Sequence, residues 1–229
     1  MSIVLKTTTD AEIAAGSLAS SILKQLRSGK QVLFFATGGS SISVGAKISK
    51  ILREYPDKNL MKNLTVTLTD ERYGPLGHPD SNWQQLLDRG FSLPQARLIP
   101  VLTGENLSIT TEKFSKALNE ELMISEENKY RIGLFGIGAD GHTAGILPGS
   151  KSVESLNLAC GYDTPTFSRI TITPKVIEKL DEAAVWAQGK DKWGVIENLL
   201  EENIPIIKQP AQILKKVPLL TIFSDMKKE

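Results

Sequence analysis

Two residues of this chain, Asp140 and His142, place an acid and an imidazole at a spacing that suits general-base chemistry. They follow an apolar run from Ile132 to Ile137, which has the length of a strand buried on both faces, and they lie among glycines. A neutral imidazole can accept a proton from water near pH 7, and a carboxylate can fix its tautomer and stabilise the imidazolium. A lone histidine is more often structural, but these surroundings favour a catalytic role.

Three further polar clusters also follow apolar runs of strand length. They are Gly38–Ser41 after the run 31–36, Asp70–Arg72 after 64–68, and Gly189–Lys192 after 183–187. In a parallel sheet all carboxyl ends of strands lie on one edge, which is where open α/β folds place their chemistry. The four clusters together therefore predict a single site.

The turn formed by Gly38, Gly39, Ser40 and Ser41 precedes a helical pattern that runs through residues 44–52. Free amides at the start of a helix, together with the helix dipole, favour an anion. The spacing does not match a Walker A loop, because the lysine does not directly follow the second glycine. The turn is interpreted as a candidate anion site, with a tight turn capped by serine as the alternative.

Four charged residues are candidates to line this site. Asp70 is expected to face the pocket and Arg72 to supply positive charge, although both could belong to a solvated surface cluster. Arg169 lies in an alternating segment that would equally suit a solvent-facing residue. Lys192 opens a helix, where the dipole disfavours a cation, so it indicates an anion nearby or is simply solvated.

Cofactor chemistry is not expected from these motifs. The segment 136–141 formally satisfies G-x-G-x-x-G, but Gly145, Pro148 and Gly149 interrupt the helix that a dinucleotide site needs. A Rossmann dehydrogenase is therefore a minor alternative. Asp140 and His142 supply only two metal ligands, so no catalytic metal is predicted.

The composition places the chain among ordinary globular proteins. It has 229 residues, 41% of them hydrophobic, and a net charge of +1, which argues against a broad nucleic-acid surface. Neither a signal peptide nor a membrane-length apolar stretch is recognisable, so a cytoplasmic protein is expected. The one cysteine, Cys160, is expected to be a small buried side chain.

Strand-like and helix-like patterns alternate along the chain. We predict one α/β domain over residues 1–229, with an open, mostly parallel sheet and helices on both faces. Strands are predicted at 31–36, 64–68, 98–102, 130–138, 167–173, 183–187 and 219–223. Helices are predicted at 10–27, 44–52, 82–89, 108–123, from 174 onward, 190–202 and 210–216, and residues 151–166 are expected to be loop.

Together these segments resemble the 6-phosphogluconolactonase family, within the wider superfamily of glucosamine-6-phosphate isomerases and lactonases. The D-G-H-T-A segment followed by P-G is the specific part of the resemblance, and the other segments are individually loose. The matching segments are T-G-G-S-S at 37–41, T-D-E-R at 69–72, S-N at 81–82, G-I-G-A-D-G-H-T-A-G-I-L-P-G at 136–149, R-I-T-I-T at 169–173 and G-K-D-K at 189–192.

The resemblance implies a fold of the sugar-phosphate isomerase/CoA-transferase type. It implies hydrolysis of 6-phospho-D-glucono-1,5-lactone to 6-phospho-D-gluconate in the oxidative pentose phosphate pathway, without metal or organic cofactor. In that family His142 would activate water and Asp140 would orient His142. The substrate would be lined or held by Gly38, Gly39, Ser40, Ser41, Asp70, Arg72, Arg169 and Lys192. The expected partner is the phosphosugar lactone, with no nucleic acid or membrane, and the chain is expected to be a monomer or weak homo-oligomer.

Two other functions remain open at this point. One is a deaminase/isomerase acting on an amino-sugar phosphate, but the deaminases carry Glu at the position of Leu147 and Tyr at that of Arg72. The other is a non-catalytic module that binds sugar phosphates. The chain also departs from the usual lactonase pattern at Ile42, Gly145 and Leu147, which puts substrate range and rate in doubt.

Overall fold

Seven parallel strands form the main sheet of the chain, of which this computed structural model describes residues 2–125 and 127–227. Every pairing in this sheet is parallel, so all seven carboxyl ends lie on one edge. In spatial order the strands are β1 (Ser2–Thr7), β10 (Leu219–Ser224), β9 (Glu182–Ala187), β6 (Lys129–Phe135), β2 (Gln31–Ala36), β3 (Leu64–Leu68) and β5 (Arg97–Leu98).

The central strands are buried on both faces because their sequences are continuous apolar runs. Every residue of β3 and of β9 is buried, as are residues 32–36 of β2. Such strands need helices on both sides of the sheet. The helices are α1 (Ala11–Arg27), α2 (Ile42–Glu54), α3 (Asn82–Asp88), α4 (Leu107–Leu122), α5 (Pro174–Ile177) and α6 (Trp193–Glu201). The open α/β fold predicted from the sequence is confirmed.

A small antiparallel sheet lies beside the main one. Its order is β4 (Asp70–Arg72), β8 (Ser168–Ile172) and β7 (Ala159–Asp163). Since β4 follows β3 almost directly, this sheet continues from the carboxyl edge of the main sheet. Its pairing places Asp70 opposite Thr171 and Arg72 opposite Arg169, which joins two segments about a hundred residues apart.

Two predictions of secondary structure were wrong. The predicted loop 151–166 contains β7, which is short and has glycine at its centre, so its alternation is too brief to recognise. The predicted strand 98–102 pairs only through Arg97 and Leu98, because Pro100 has no backbone N–H for the ladder. The first strand, β1, was also not predicted.

Among the described residues, no helix is both long and apolar enough to cross a membrane.

Candidate active site

A cavity of about 240 Å³ opens at the carboxyl edge of the sheet, where β2, β3 and β6 end. The elements that line it are the turn after β2, the strand β4, the start of α3, the loop after β6 and the strand β8. The lining residues are Thr37, Gly38, Gly39, Ser40, Asp70, Arg72, Asn82, Gly136, Ile137, His142, Ala144, Gly145 and Arg169.

Volume alone would not locate this site. A larger groove of about 1070 Å³ lies between α4 and the segment 155–161. It contains Cys160, which is free and buried, but none of the residues predicted to take part in catalysis or binding. The smaller cavity is lined by residues of three of the four predicted polar clusters, and the fourth, Gly189–Lys192, does not line it.

His142 and Asp140 form a close pair on the loop after β6. The His142 ring Nδ1 lies 2.6 Å from Asp140 Oδ1, and the His142 backbone N–H donates to the same oxygen at 3.1 Å. Partial burial opposes ionisation of Asp140, but these bonds outweigh it and hold the pKa of that carboxyl below its usual range. An ionised carboxylate only accepts, so the proton of this bond belongs to Nδ1 and Nε2 is left free as a base.

Glycine at position 138 allows the imidazole to lie over the backbone. A Cβ atom on Gly138 would stand 2.2 Å from His142 Cε1, which no larger residue could accommodate without moving the ring. The loop is closed by the Gly138 N–H, which donates to the His142 carbonyl at 3.0 Å. Ala144, two residues further on, has φ 51°, a left-handed conformation that is costly for alanine and typical of functional loops.

The turn after β2 leads directly into α2 without a side-chain cap. Gly39 to Ser41 form a single 3₁₀ turn, and the residues that precede this turn and α2, Gly38 and Ser41, make no side-chain cap hydrogen bond to them. Gly39 has φ +64°, and a Cβ there would meet nothing within 4 Å, so its outer side faces open space. Ser41 differs from its neighbours, because it is fully buried and its hydroxyl is directed to the Trp186 carbonyl 3.4 Å away.

Asp70 is a buried carboxyl at the base of the cavity. Its Oδ1 accepts from the Thr69 hydroxyl at 3.0 Å, and its Oδ2 lies 3.7 Å from Arg169 Nη1. Burial raises the pKa of Asp70, although the positive charge of Arg169 and the Thr69 hydrogen bond act in the opposite direction. The carboxyl is therefore easier to protonate than an exposed aspartate.

Arg72 and Arg169 face each other across the β4–β8 pair, where like charges are unfavourable. Arg72 Nη1 donates to the Asp80 carbonyl at 3.2 Å, and Arg169 is paired with Asp70. The Nε of each arginine is buried and has no hydrogen-bond partner among the described residues. Buried donors without partners are costly, so two of them beside a cavity indicate a site for an anionic ligand.

Sequence reasoning missed Asn82 as a lining residue, although the S-N pair was part of the resemblance. Its Nδ2 donates to the Asp70 carbonyl at 3.0 Å, and its Oδ1 is buried and unpartnered among the described residues. The Glu71 carboxylate holds it in place by accepting from the Asn82 backbone N–H at 2.6 Å and from the Ser81 hydroxyl at 2.9 Å.

The structure brings most of the predicted residues together but leaves three outside the lining of the cavity. Asp140 contacts the His142 ring at Nδ1 but does not line the cavity. The Ser41 hydroxyl points to the Trp186 carbonyl in the interior of the protein. The Lys192 ammonium donates to the Gln188 carbonyl at 2.9 Å and does not line the cavity. Within residues 2–125 and 127–227, no three His, Cys, Asp or Glu side chains form a group able to hold a metal ion.

Comparison with known proteins places this chain in a family. Residues 7–221 match the family described as glucosamine-6-phosphate isomerases/6-phosphogluconolactonase. A 6-phosphogluconolactonase from Pseudomonas putida is 31% identical over 227 residues, covering 92% of this chain and 88% of its own length. A glucosamine-6-phosphate deaminase from Oenococcus oeni is 26% identical over 235 residues, covering 94% of this chain and 93% of its own.

Solved structures share the fold. The crystal structure of 6-phosphogluconolactonase from Thermotoga maritima superposes with a TM-score of 0.80 at 19% identity, covering 97% of this chain and 99% of that one. The structure of a monomeric glucosamine-6-phosphate deaminase reaches a TM-score of 0.75 at 21% identity. Both branches therefore share one architecture, and the chain belongs to the glucosamine-6-phosphate isomerase/6-phosphogluconolactonase family of enzymes.

Proposed function

We propose that this enzyme hydrolyses 6-phospho-D-glucono-1,5-lactone to 6-phospho-D-gluconate, a step of the oxidative pentose phosphate pathway. The observation that carries the proposal is the meeting, in one cavity, of the His142 imidazole with two arginines whose Nε groups lack partners among the described residues. The imidazole suits activation of water, and the two guanidiniums suit binding of the substrate phosphate. The cytoplasmic location and the single-domain organisation stay predictions.

His142 acts as the general base. Its Nε2 takes a proton from water as the water oxygen attacks C1 of the lactone, and the ester bond to the ring oxygen then breaks. The resulting imidazolium returns the proton to that ring oxygen, so protons balance over the cycle. The ionised Asp140 stabilises the imidazolium through the 2.6 Å contact at Nδ1.

The phosphate is held by the uncapped turn after β2 and by the two guanidiniums. Gly38, Gly39 and Ser40 supply backbone amides and a hydroxyl, while Arg72 and Arg169 supply charge. Anchoring the phosphate uses remote binding energy to orient the lactone carbonyl toward His142. Asp70 and Asn82 line the sugar side between the two groups.

The deaminase reaction is the competing proposal, because relatives of both kinds match most of the chain. Ring opening of an amino sugar needs an additional proton-transfer group. At the position where the deaminases carry Glu, this chain has Leu147, whose side chain cannot transfer protons. Lactone hydrolysis needs no such group and is therefore preferred.

A coupled assay separates the alternatives. The lactone is generated with glucose-6-phosphate dehydrogenase and its disappearance is followed with and without this protein, while ammonia release is measured from glucosamine 6-phosphate. We expect faster loss of the lactone and no ammonia. Ammonia release without lactone turnover would identify a deaminase. Binding of 6-phosphogluconate without either reaction would identify a non-catalytic module.

A further inference from the structure

The aromatic ring of Phe167 contacts both arginines of the cavity. Arg72 Cζ lies 4.8 Å from the ring centroid and Arg169 Cζ lies 5.6 Å from it. Both distances are within the range of favourable cation–π contact. We infer that Phe167 is a positioning residue that orients the two guanidiniums toward the substrate phosphate, an inference that rests on the proposed function.

The two arginines need such support because they are directly opposed across antiparallel strands. Within the described part of the chain, Asp70 forms an ion pair with Arg169, whereas Arg72 forms no ion pair and its charge acts more weakly on Asp70. Together, the side chains of Arg72, Arg169 and Asp70 carry a net positive charge whether or not Asp70 is ionised. The Asp70 ion pair and the hydrogen bond from Arg72 to the Asp80 carbonyl each hold one guanidinium, and contact with the Phe167 ring further opposes the repulsion that would move either of them away from the cavity.

An aromatic ring stabilises two cations in a way that a carboxylate could not. A carboxylate would accept from the guanidinium N–H groups and neutralise their charge, which would compete with a phosphate for the same donors. The face of a ring has no such acceptor. It can hold the flat side of a guanidinium without accepting from its N–H groups, which agrees with the absence of an acceptor for the Nε of both arginines among the described residues.

The ring is held by a tight connection between β7 and β8. The Phe167 N–H donates to the Thr164 hydroxyl at 3.1 Å, and the Phe167 carbonyl accepts from the Thr164 N–H at 2.9 Å. The Ser168 hydroxyl closes the same turn by donating to Asp163 Oδ1 at 2.6 Å. Phe167 does not line the cavity itself, so its effect reaches the ligand only through Arg72 and Arg169.

The test compares Phe167→Leu, which keeps an apolar side chain but removes the ring, with Phe167→Tyr, which keeps the ring. KM and kcat are measured for the phosphorylated lactone and for the non-phosphorylated glucono-1,5-lactone, and melting temperatures confirm folding. We expect Phe167→Leu to raise KM for the phosphorylated lactone about tenfold, equivalent to about 1.4 kcal/mol. Its kcat, and kcat/KM for the non-phosphorylated lactone, should stay within about twofold of the wild-type values.

Phe167→Tyr should restore the wild-type KM. An unchanged KM in Phe167→Leu, an equal loss with both lactones, or an equal loss in Phe167→Tyr would overturn the inference. If Phe167→Leu does not fold, Phe167→Met repeats the test with another side chain that lacks a ring. Absence of lactone turnover in the wild type would overturn the proposed function instead. In that case, dissociation constants for 6-phosphogluconate replace KM in the comparison of the wild type with the Phe167 variants.

Discussion

Buried charges gather at both edges of the main sheet, but at the carboxyl edge they include groups that line a cavity and have no partner among the described residues. At the amino edge, Glu121 accepts from Arg97 at 2.5 Å and also from the fully buried Lys129. Glu182, the first residue of β9, accepts from Ser21 and from the Tyr130 hydroxyl. Here each carboxylate has its partners within the protein.

At the carboxyl edge, buried polar atoms are incompletely paired. Arg72 Nε, Arg169 Nε and Asn82 Oδ1 have no partners within the described chain, and all three residues line one cavity. Arg131, near the amino edge, also has an Nε without a partner in the described part of the chain, but its Nη2 donates to the Leu122 and Ile124 carbonyls and the residue does not line this cavity. Unpaired groups beside open space, rather than burial alone, distinguish a binding site from a structural cluster.

The largest effect at the carboxyl edge is expected for His142→Ala. Loss of the general base should lower kcat for the lactone by about 10²–10⁴-fold, with KM and melting temperature nearly unchanged. The matched control is His78→Ala, which removes the other histidine, lies outside the cavity lining and should keep kcat within about threefold. Near-full activity of His142→Ala would remove this residue from the mechanism.

At the amino edge we expect a substitution to lower stability and leave activity unchanged. Glu121→Gln leaves Lys129 buried without its counter-charge and should lower the free energy of unfolding by about 3 kcal/mol. Burial already lowers the pKa of Lys129, so loss of Glu121 should lower it further. Chemical denaturation measures the stability. Activity per folded molecule should not change, and a parallel loss of kcat/KM would contradict the separation of the two edges.

At the carboxyl edge, Asp70→Asn should increase the free energy of unfolding of the protein at pH 7. Burial raises the pKa of Asp70, so the folded protein favours the protonated carboxyl. The stability gained from protonation of Asp70 is complete when the pH is below the pKa of this residue in the unfolded chain. It is lost as the pH rises through the higher pKa that the residue has in the folded protein. At pH 7 the variant should therefore gain on the order of 1 kcal/mol, and the gain should shrink toward pH 3. Denaturation at both pH values measures it, and destabilisation at pH 7 would contradict the assignment.

The smallest effect is expected for Lys192→Met. The Lys192 ammonium is directed to the Gln188 carbonyl rather than to the cavity, so KM for the lactone should change by less than about threefold. Steady-state kinetics beside Lys190→Met, a nearby exposed lysine, measures the difference. A tenfold rise in KM confined to Lys192→Met would place its ammonium at the phosphate, as the sequence predicted.

The sequence was most informative where a local pattern determines the structure. The apolar runs of β2, β3 and β6 were predicted within two or three residues, because strands buried on both faces need continuous hydrophobic sequence. The same runs led to the turn at Gly38–Ser41 and to Asp140 with His142, since polar groups after such strands share one edge.

What the sequence did not predict depends on pairing between distant segments. Strand β4 has only three residues, and its partner β8 lies about a hundred residues away, so no periodic signal marks the meeting of Arg72 with Arg169. Phe167 gave no signal either, since its contacts exist only once that pairing forms. Ser41 looked equivalent to Ser40 in sequence, but the 3₁₀ turn directs its hydroxyl to Trp186.

The central claim is that Arg72 and Arg169, whose Nε groups have no hydrogen-bond partner among the described residues, bind the phosphate of the substrate. Its most direct test is the ratio of kcat/KM for 6-phosphoglucono-1,5-lactone to that for glucono-1,5-lactone, in the wild type and in Arg169→Met. We predict a ratio of at least about a hundred in the wild type, which falls about tenfold or more in Arg169→Met. Equal values for the two lactones, or a ratio unchanged by the substitution, would contradict the claim.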